Sequence, residues 1–144
     1  LNDVINEAID STKITAGNRH IQIFFQPVSE LFVIGDKNQL VTAVKNILDN
    51  AVNYSPENTM VSVELRKNED IAEIMIKDQG IGISVEDQKH LFERFFRGSN
   101  ATVIPGTGLG LHLIDRYVKL LNGSLEIISE IDKGTELIIR LNNL

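Results

Sequence analysis

The chain has 144 residues, 42% hydrophobic and 24% charged, which is the composition of one globular domain large enough to bury a core. Its formal net charge of −6 disfavours nucleic-acid binding, which needs a basic face, and its lack of cysteine excludes disulfides and thiolate metal sites. No run approaches the roughly 20 apolar residues of a membrane-spanning helix, and the start lacks the pattern of a signal peptide.

The first part of the chain predicts one helix and two short strands. Apolar residues recur at helical spacing over residues 2–16, and Gly17-Asn18 ends that helix in the usual C-terminal manner. Two β-rich runs follow at residues 21–26 and 31–36. The sequence begins inside this amphipathic pattern and without a Met, so we expect a fragment of a longer protein.

The middle of the chain predicts a long helix and a β-hairpin. Asp36 is the expected N-cap of a helix over residues 37–54, which Ser55-Pro56 ends. Residues 60–67 and 71–77 alternate apolar and polar side chains on either side of a short turn, the pattern of an antiparallel hairpin.

The last third predicts two helices and a second hairpin. Helical spacing covers residues 85–96 and 112–121, and the loop between them is rich in Gly, Ser, Asn, Thr and Pro. Strands are expected at residues 124–130 and 135–141. The whole order predicts a single α+β domain over residues 1–144, a two-layer sandwich whose mixed, mostly antiparallel sheet is packed by helices on one face.

Three asparagines share one face of the long helix. Asn46, Asn50 and Asn53 are spaced i, i+4 and i+7, so on a helical wheel they lie within roughly 60° of one another, beside the apolar stripe. A solvated polar face explains a lone Asn, but three mediocre helix formers in register at the edge of the core favour a function. Carboxamide oxygens suit Mg²⁺, which takes one or two protein oxygens together with substrate phosphates.

The stretch "DQGIGIS" follows the first predicted hairpin. Gly80 and Gly82 allow the backbone to bend tightly or to approach a ligand, and Asp78 can accept a hydrogen bond from an exocyclic amine such as N6 of adenine. Taken alone, the stretch is better explained by a plain turn with an Asp cap.

The stretch "GTGLGL" places Gly106, Gly108 and Gly110 just before a predicted helix. It matches neither the dinucleotide-binding nor the P-loop pattern. Free N–H groups and the positive dipole end at a helix start favour an anion, so a phosphate site of another kind is possible, as is a flexible hinge.

Five stretches in order, "NILDNAVNYSP", "DQGIGIS", "LFERFFR", "GTGLGL" and "KGTELIIRL", resemble the N, G1, F, G2 and last boxes of sensor histidine kinases. The resemblance covers nearly the whole chain. It implies the catalytic and ATP-binding domain, with the Bergerat fold that gyrase, mismatch-repair and heat-shock chaperone ATPases share. The implied activity is that of a protein-histidine kinase, which uses ATP and Mg²⁺ to phosphorylate a histidine on a separate domain.

The resemblance also implies residue roles. The implied catalytic residues are Asn50, which would hold Mg²⁺, Asn46, which would support it, and Arg97, which would contact phosphate oxygens. Asp78 would bond adenine N6, with Thr135 helping through a water. The implied nucleotide-binding set is Asn53, Tyr54, Asp78, Gly80, Gly82, Gly106, Thr107, Gly108, Leu109, Gly110 and Thr135. Residues 96–107 would form a mobile lid over the ATP.

Two positions refine this expectation. Many family members carry Lys or His where this chain has Asn53, so a phosphate-binding cation is missing there. The hydrolysing relatives place a general-base Glu where this chain has Asn46, and a carboxamide cannot take a proton. Because phosphoryl transfer depends mainly on positioning and charge stabilisation, bound ATP should hydrolyse slowly and await another acceptor.

The acceptor itself is expected outside this chain. The family's acceptor His precedes an acidic residue, whereas His20, His90 and His112 precede Ile or Leu. The expected partners are therefore an upstream dimerisation and phosphoacceptor domain and, indirectly, a response regulator. We expect a monomeric, cytoplasmic fragment of a homodimeric parent, of a kind that the family often anchors in the inner membrane.

Three alternatives remain open from the sequence. The first is a non-catalytic module in which ATP only switches docking, an idea to which Asn53 gives some weight. The second is a protein-interaction domain with a decayed pocket, which the intact boxes disfavour. The third is an anti-sigma-factor serine kinase of the same fold, which the "ERFFR" stretch disfavours.

Overall fold

A computed structural model describes residues 1–101 and 108–144. The elements in chain order are α1 (Asn2–Asn18), β1 (Gln22–Phe25), α2 (Lys37–Tyr54), β2 (Met60–Asn68), β3 (Ile71–Lys77), α3 (Val85–Gln88), α4 (Gly110–Leu120), β4 (Ser124–Glu130) and β5 (Gly134–Asn142). Half of the expected lid, residues 102–107 with Gly106 and Thr107, lies outside the described residues.

The strands form one five-stranded sheet in the order β1-β2-β3-β5-β4. β1 pairs with β2 in parallel, and the other three pairs are antiparallel. The centre of the sheet is held by apolar partners such as Ile74 and Ile139, which lie opposite each other on β3 and β5. The predicted mixed, mostly antiparallel sheet is confirmed.

One face of the sheet carries the core. Inward residues of β2, β3 and β5 pack against apolar residues of α1, α2 and α4, and Val44, Leu48 and Val52 on α2 are fully buried. The opposite face carries charged side chains: there Arg140 donates hydrogen bonds of 2.7 Å to Glu73 and 2.6 Å to Glu126. The helices therefore cover one face, as predicted, and burial of this face supplies the main driving force for folding.

Residues 31–36, predicted as a strand, do not form one. The carbonyl of Leu31 accepts from the N-terminal amino group at 2.7 Å, and that of Phe32 accepts from Leu144 N at 2.8 Å. The segment instead buries the side chain of Leu31, which is 3% exposed. The prediction was wrong because contacts with the distant termini replace the strand ladder.

The helix predicted over residues 85–96 is much shorter. α3 ends at Gln88, and i→i+3 turns follow, including Glu93 N to His90 O at 2.9 Å. Phe95 has a positive φ of 65°, and its N–H donates to Gly108 O at 3.1 Å. A left-handed residue cannot continue an α-helix, so this contact with the region before α4 overrides the helical spacing.

The remaining elements match the prediction to within one or two residues at each end. α2 begins at its predicted cap, where the Asp36 carboxylate accepts from Gln39 N at 2.9 Å. α4 begins two residues earlier than predicted, at Gly110. Among the described residues, none of the helices combines the length and the apolar character that crossing a bilayer requires.

Candidate functional site

A cavity of about 290 Å³ opens beside the C-terminal half of α2. Its other walls come from the loop after β3, the segment at residues 96–101 and the start of α4. Apolar side chains make one part of the lining, among them Ile47, Ile81 and Leu137, while asparagines and Asp78 make another. A flat apolar group with a polar edge and a polar tail fits this division.

The predicted asparagine face forms one wall of the cavity. Asn46, Asn50 and Asn53 all line it and are half-buried. In the part of the chain that the structure describes, their carboxamides make no hydrogen bond to the protein, whereas neighbouring Asp49 is paired with Lys45. Half-buried carboxamides without protein partners are available to a ligand or a hydrated cation.

The C-terminal end of α2 is fixed by a residue that the sequence did not point to. Arg19 donates to the carbonyls of Val52 at 3.0 Å, Asn53 at 2.7 Å and Ser55 at 2.8 Å. The last carbonyls of a helix lack partners within it and carry its negative dipole end, which a guanidinium satisfies. Arg19 thereby holds the helix end that carries Asn53 and Tyr54.

Asp78 lies at the end of β3 and is 8% exposed. Its Oδ1 accepts from Gly80 N at 2.8 Å and from Thr135 N at 3.0 Å. Burial raises the pKa of this carboxyl, and the two N–H donors lower that pKa to a smaller extent. Within the described residues Oδ2 has no protein partner, so it is the acceptor that Asp78 offers to the cavity.

The loop after β3 approaches other backbone so closely that two of its residues must be glycine. A Cβ on Gly82, whose φ is +69°, would lie 1.9 Å from Glu130 O, and one on Gly80 would lie 2.6 Å from Tyr54 O. The same loop is bound to α2 through Ile81 N and Tyr54 O at 3.1 Å. Gly82 lines the cavity, whereas Gly80 shapes the loop from behind it.

The described part of the expected lid meets the same cavity. Arg97 lines it and donates to Ala101 O at 2.6 Å. Asn100 donates to Gly82 O at 3.0 Å, and the Asp87 carboxylate accepts from Ser99 N at 3.0 Å. The last two contacts attach residues 97–101 to the loop after β3 and to α3.

The structure brings most of the predicted set together. The predicted residues that line the cavity are Asn46, Asn50, Asn53, Tyr54, Asp78, Gly82, Arg97, Gly108, Gly110 and Thr135. Gly80 and Leu109 are not part of the lining, and Gly106 and Thr107 lie outside the described residues. Arg19, Asn100 and Ser129 were missed, because no motif or periodic pattern marks them and their partners are distant in sequence.

This sheet order, with the helices on one face and the cavity beside α2, defines the fold of the histidine-kinase catalytic domain. The family described as histidine kinase-, DNA gyrase B-, and HSP90-like ATPase matches residues 35–143. The chain belongs to this family.

Its relatives include sensor histidine kinases. The sensor-like histidine kinase SenX3 of Mycobacterium bovis is 37% identical over 140 residues, which are 96% of this chain and 34% of SenX3. A solved structure of the mycobacterial sensor histidine kinase MprB is 32% identical with a TM-score of 0.84, and the match covers 99% of this chain and 93% of that one. The catalytic domain of histidine kinase ThkA has a TM-score of 0.86 at 20% identity, covering 99% and 93% of the two chains, and shows the fold alone. The chain thus spans about a third of the length of SenX3.

Proposed function

We propose that this chain binds ATP with Mg²⁺ and transfers the γ-phosphoryl group to a histidine on a separate phosphoacceptor domain of a two-component sensor kinase. The observation that carries the proposal is a cavity in which, among the described residues, the asparagine carboxamides on one wall and Asp78 Oδ2 on another have no protein partner. Membership of the ATPase family and the sensor-kinase relatives support it.

The base end of the ligand is assigned to Asp78. Its Oδ2 would accept from the 6-amino group of adenine, with Thr135 assisting through a water. The apolar part of the lining would cover the ring faces, and Tyr54 would pack beside the adenine or the ribose. A pocket that combines apolar walls with few polar groups gives orientation as well as affinity, and we expect a dissociation constant on the order of 10–100 μM.

The metal end is assigned to α2. Asn46 and Asn50 are one turn apart, line the cavity and have no protein partner in the described part of the chain, so their oxygens fit a hard cation. Asn50 would hold Mg²⁺ and Asn46 would support it, and the ion would neutralise charge on the phosphates. Asn53 would contact the phosphates only weakly, because it lacks the charge of the Lys or His usual in the family.

The phosphates are assigned to the other side of the cavity. Arg97 would pair with their oxygens, and the first turn of α4, which begins at Gly110, would offer backbone N–H groups. Gly106 to Leu109 would belong to the same phosphate-binding segment, with residues 96–107 as its lid.

Transfer to a protein histidine is favoured over hydrolysis by the side chain at position 46. Asn46 cannot take a proton from water, so ATP would persist until an acceptor histidine docks. We infer that residues 1–144 form one catalytic domain in a longer, homodimeric sensor kinase. Its acceptor domain lies upstream, and the catalytic domain acts in the cytoplasm.

The test combines this chain, Mg²⁺, ATP labelled on its γ-phosphate and the phosphoacceptor domain of the parent protein. We expect acid-labile, base-stable label on the acceptor domain, as for phosphohistidine, and none when its histidine is replaced by Ala. ATP binding without any label on the acceptor would refute transfer and would support the module in which ATP only switches docking.

A further inference from the structure

Ser129 on β4 lies behind the end of the cavity where Asp78 and Thr135 are exposed to a ligand. It is half-buried and is not among the described residues that line the cavity. Its Oγ contacts Ile83 N at 2.8 Å, Gly134 O at 3.0 Å and Thr135 Oγ1 at 2.7 Å. It therefore joins the loop after β3 to both strands of the last hairpin.

One assignment of the hydroxyl hydrogens makes all three contacts hydrogen bonds. A serine hydroxyl has one hydrogen to donate and two lone pairs to accept with. The N–H of Ile83 can only donate and the carbonyl of Gly134 can only accept, so all three contacts are hydrogen bonds only when Ser129 donates its hydrogen to Gly134. The 2.7 Å contact is then a hydrogen bond only if the hydroxyl of Thr135 donates to Ser129.

This direction determines what Thr135 offers to a ligand. With its only hydroxyl hydrogen directed at Ser129, Thr135 Oγ1 presents lone pairs alone. Asp78 Oδ2 beside it also only accepts when the carboxyl is ionised. The free lone pairs of both side chains therefore need hydrogen-bond donors, either from the base or from a water that donates one of its two hydrogens to Thr135.

We propose that Ser129 is a positioning residue for nucleobase specificity: it keeps Thr135 as an acceptor, so that the site selects a 6-amino purine over a 6-oxo purine. The inference rests on the proposed nucleotide function and deepens it. An amine at position 6 supplies hydrogens to these acceptors, whereas a carbonyl there meets lone pairs. A site built around such polar groups rejects the wrong partner strongly, because its own groups are left unpaired.

The test measures ADP and inosine diphosphate binding to the 144-residue chain and its variants by calorimetry or by competition with a fluorescent nucleotide. Inosine diphosphate differs in the base by a carbonyl in place of the amine and by the hydrogen that N1 then carries. We expect the wild type to prefer ADP by roughly 100-fold or more. In Ser129→Ala the Thr135 hydroxyl is free to turn and donate to the carbonyl, so the preference should fall by about tenfold. Ser129→Thr, which keeps the hydroxyl, should show the same preference for ADP over inosine diphosphate as the wild type.

A double-mutant comparison separates this role from a general structural one. In a Thr135→Val background, Ser129→Ala should leave the ratio of the two affinities unchanged, because the hydroxyl that Ser129 orients is gone. The proposal is wrong if Ser129→Ala lowers the ADP and inosine diphosphate affinities equally. It is also wrong if Ser129→Ala reduces the ratio of these affinities as much in the Thr135→Val background as in the wild type. If Ser129→Ala does not fold, Ser129→Cys is measured instead. Because a thiol accepts hydrogen bonds only weakly, this variant should also reduce the preference for ADP over inosine diphosphate. Loss of all ADP binding in the wild type would instead refute the proposed function.

Discussion

Replacing Asp78 by Asn tests the base end of the site most directly. Asn keeps an oxygen where Oδ1 now accepts from Gly80 N and Thr135 N, so the backbone around the site retains its hydrogen bonds. The change falls on the other atom, because an NH₂ donor replaces the Oδ2 acceptor. Two donors, this NH₂ and the 6-amino group of adenine, then face each other.

The expected loss of affinity follows from these two effects. A hydrogen bond to a charged acceptor contributes about 1.5–3 kcal/mol, and leaving a buried donor unsatisfied costs about 1–3 kcal/mol. We therefore expect Asp78→Asn to weaken ADP binding by about 3 kcal/mol or more, which is roughly 150-fold. Inosine diphosphate should lose much less affinity, or gain some, since its carbonyl can accept from the new NH₂.

The same substitution should stabilise the free domain at neutral pH. Because burial raises the pKa of Asp78 above that of an unfolded Asp, the stability linked to this group is present at low pH and is lost as pH rises through the folded-state pKa. Asn does not ionise, so Asp78→Asn avoids that loss. The melting temperature of the variant should exceed that of the wild type at pH 7, and the difference should shrink as the pH falls below the pKa of Asp78.

The assay is calorimetric or NMR titration with ADP and inosine diphosphate, together with thermal melts between about pH 4 and pH 8. Asp115→Asn is the matched control: Asp115 is 7% exposed, on α4, outside the described lining of the cavity. It should leave both nucleotide affinities unchanged. A folded Asp78→Asn protein that binds ADP within about threefold of the wild type would refute the role of this carboxylate.

Three further substitutions test other parts of the site. Asn50→Ala should remove the Mg²⁺-dependent part of ADP affinity, about tenfold or more, so that EDTA weakens ADP binding to the wild type but not to the variant. Gly82→Ala should destabilise the fold by about 3 kcal/mol or more, seen as a fall of roughly 10 °C in a thermal melt, since its Cβ would meet Glu130 O at 1.9 Å. Arg19→Ala should cost about 2 kcal/mol in denaturant unfolding and weaken ADP binding as well, because the end of α2 loses its guanidinium partner.

Each of these has a control of the same chemistry elsewhere in the chain. Asn38→Ala changes an exposed Asn near the start of α2 and should leave the effect of EDTA as in the wild type. Gly110→Ala adds a Cβ that meets nothing within 4 Å and should leave stability unchanged or raise it by up to about 1 kcal/mol. Arg66→Ala removes an exposed ion pair with Glu64 and should cost at most about 1 kcal/mol. If a control variant shows the same change in EDTA effect or in stability as its test variant, the explanation given for that test variant is wrong.

The asparagine wall and its helix were predictable because they depend on local rules. Asp36 caps α2 as expected, and the i, i+4, i+7 spacing alone places Asn46, Asn50 and Asn53 on one face. The two hairpins follow from strict alternation for the same reason. The order of the boxes then identified the family, which the family match confirms.

Local rules failed where distant parts of the chain meet. Helical spacing continues through Phe95, yet that residue turns to a φ of +65° to pair with Gly108. Residues 31–36 have strand composition, but the two chain ends donate to the carbonyls of Leu31 and Phe32. In each case a contact between residues far apart in sequence satisfies the backbone better than the regular element would.

The sequence by itself determined the class of the fold, the helix that carries the asparagines and ten of the residues at the cavity, because periodicity, caps and motifs can be recognised in the sequence without the tertiary structure. Only the tertiary structure decided how these residues are held. Arg19 binds the end of α2 across 33 residues of chain, and Ser129 contacts Ile83 across 46. Such partners come together only when the sheet and its helices have packed, so neither spacing nor composition marks them in advance.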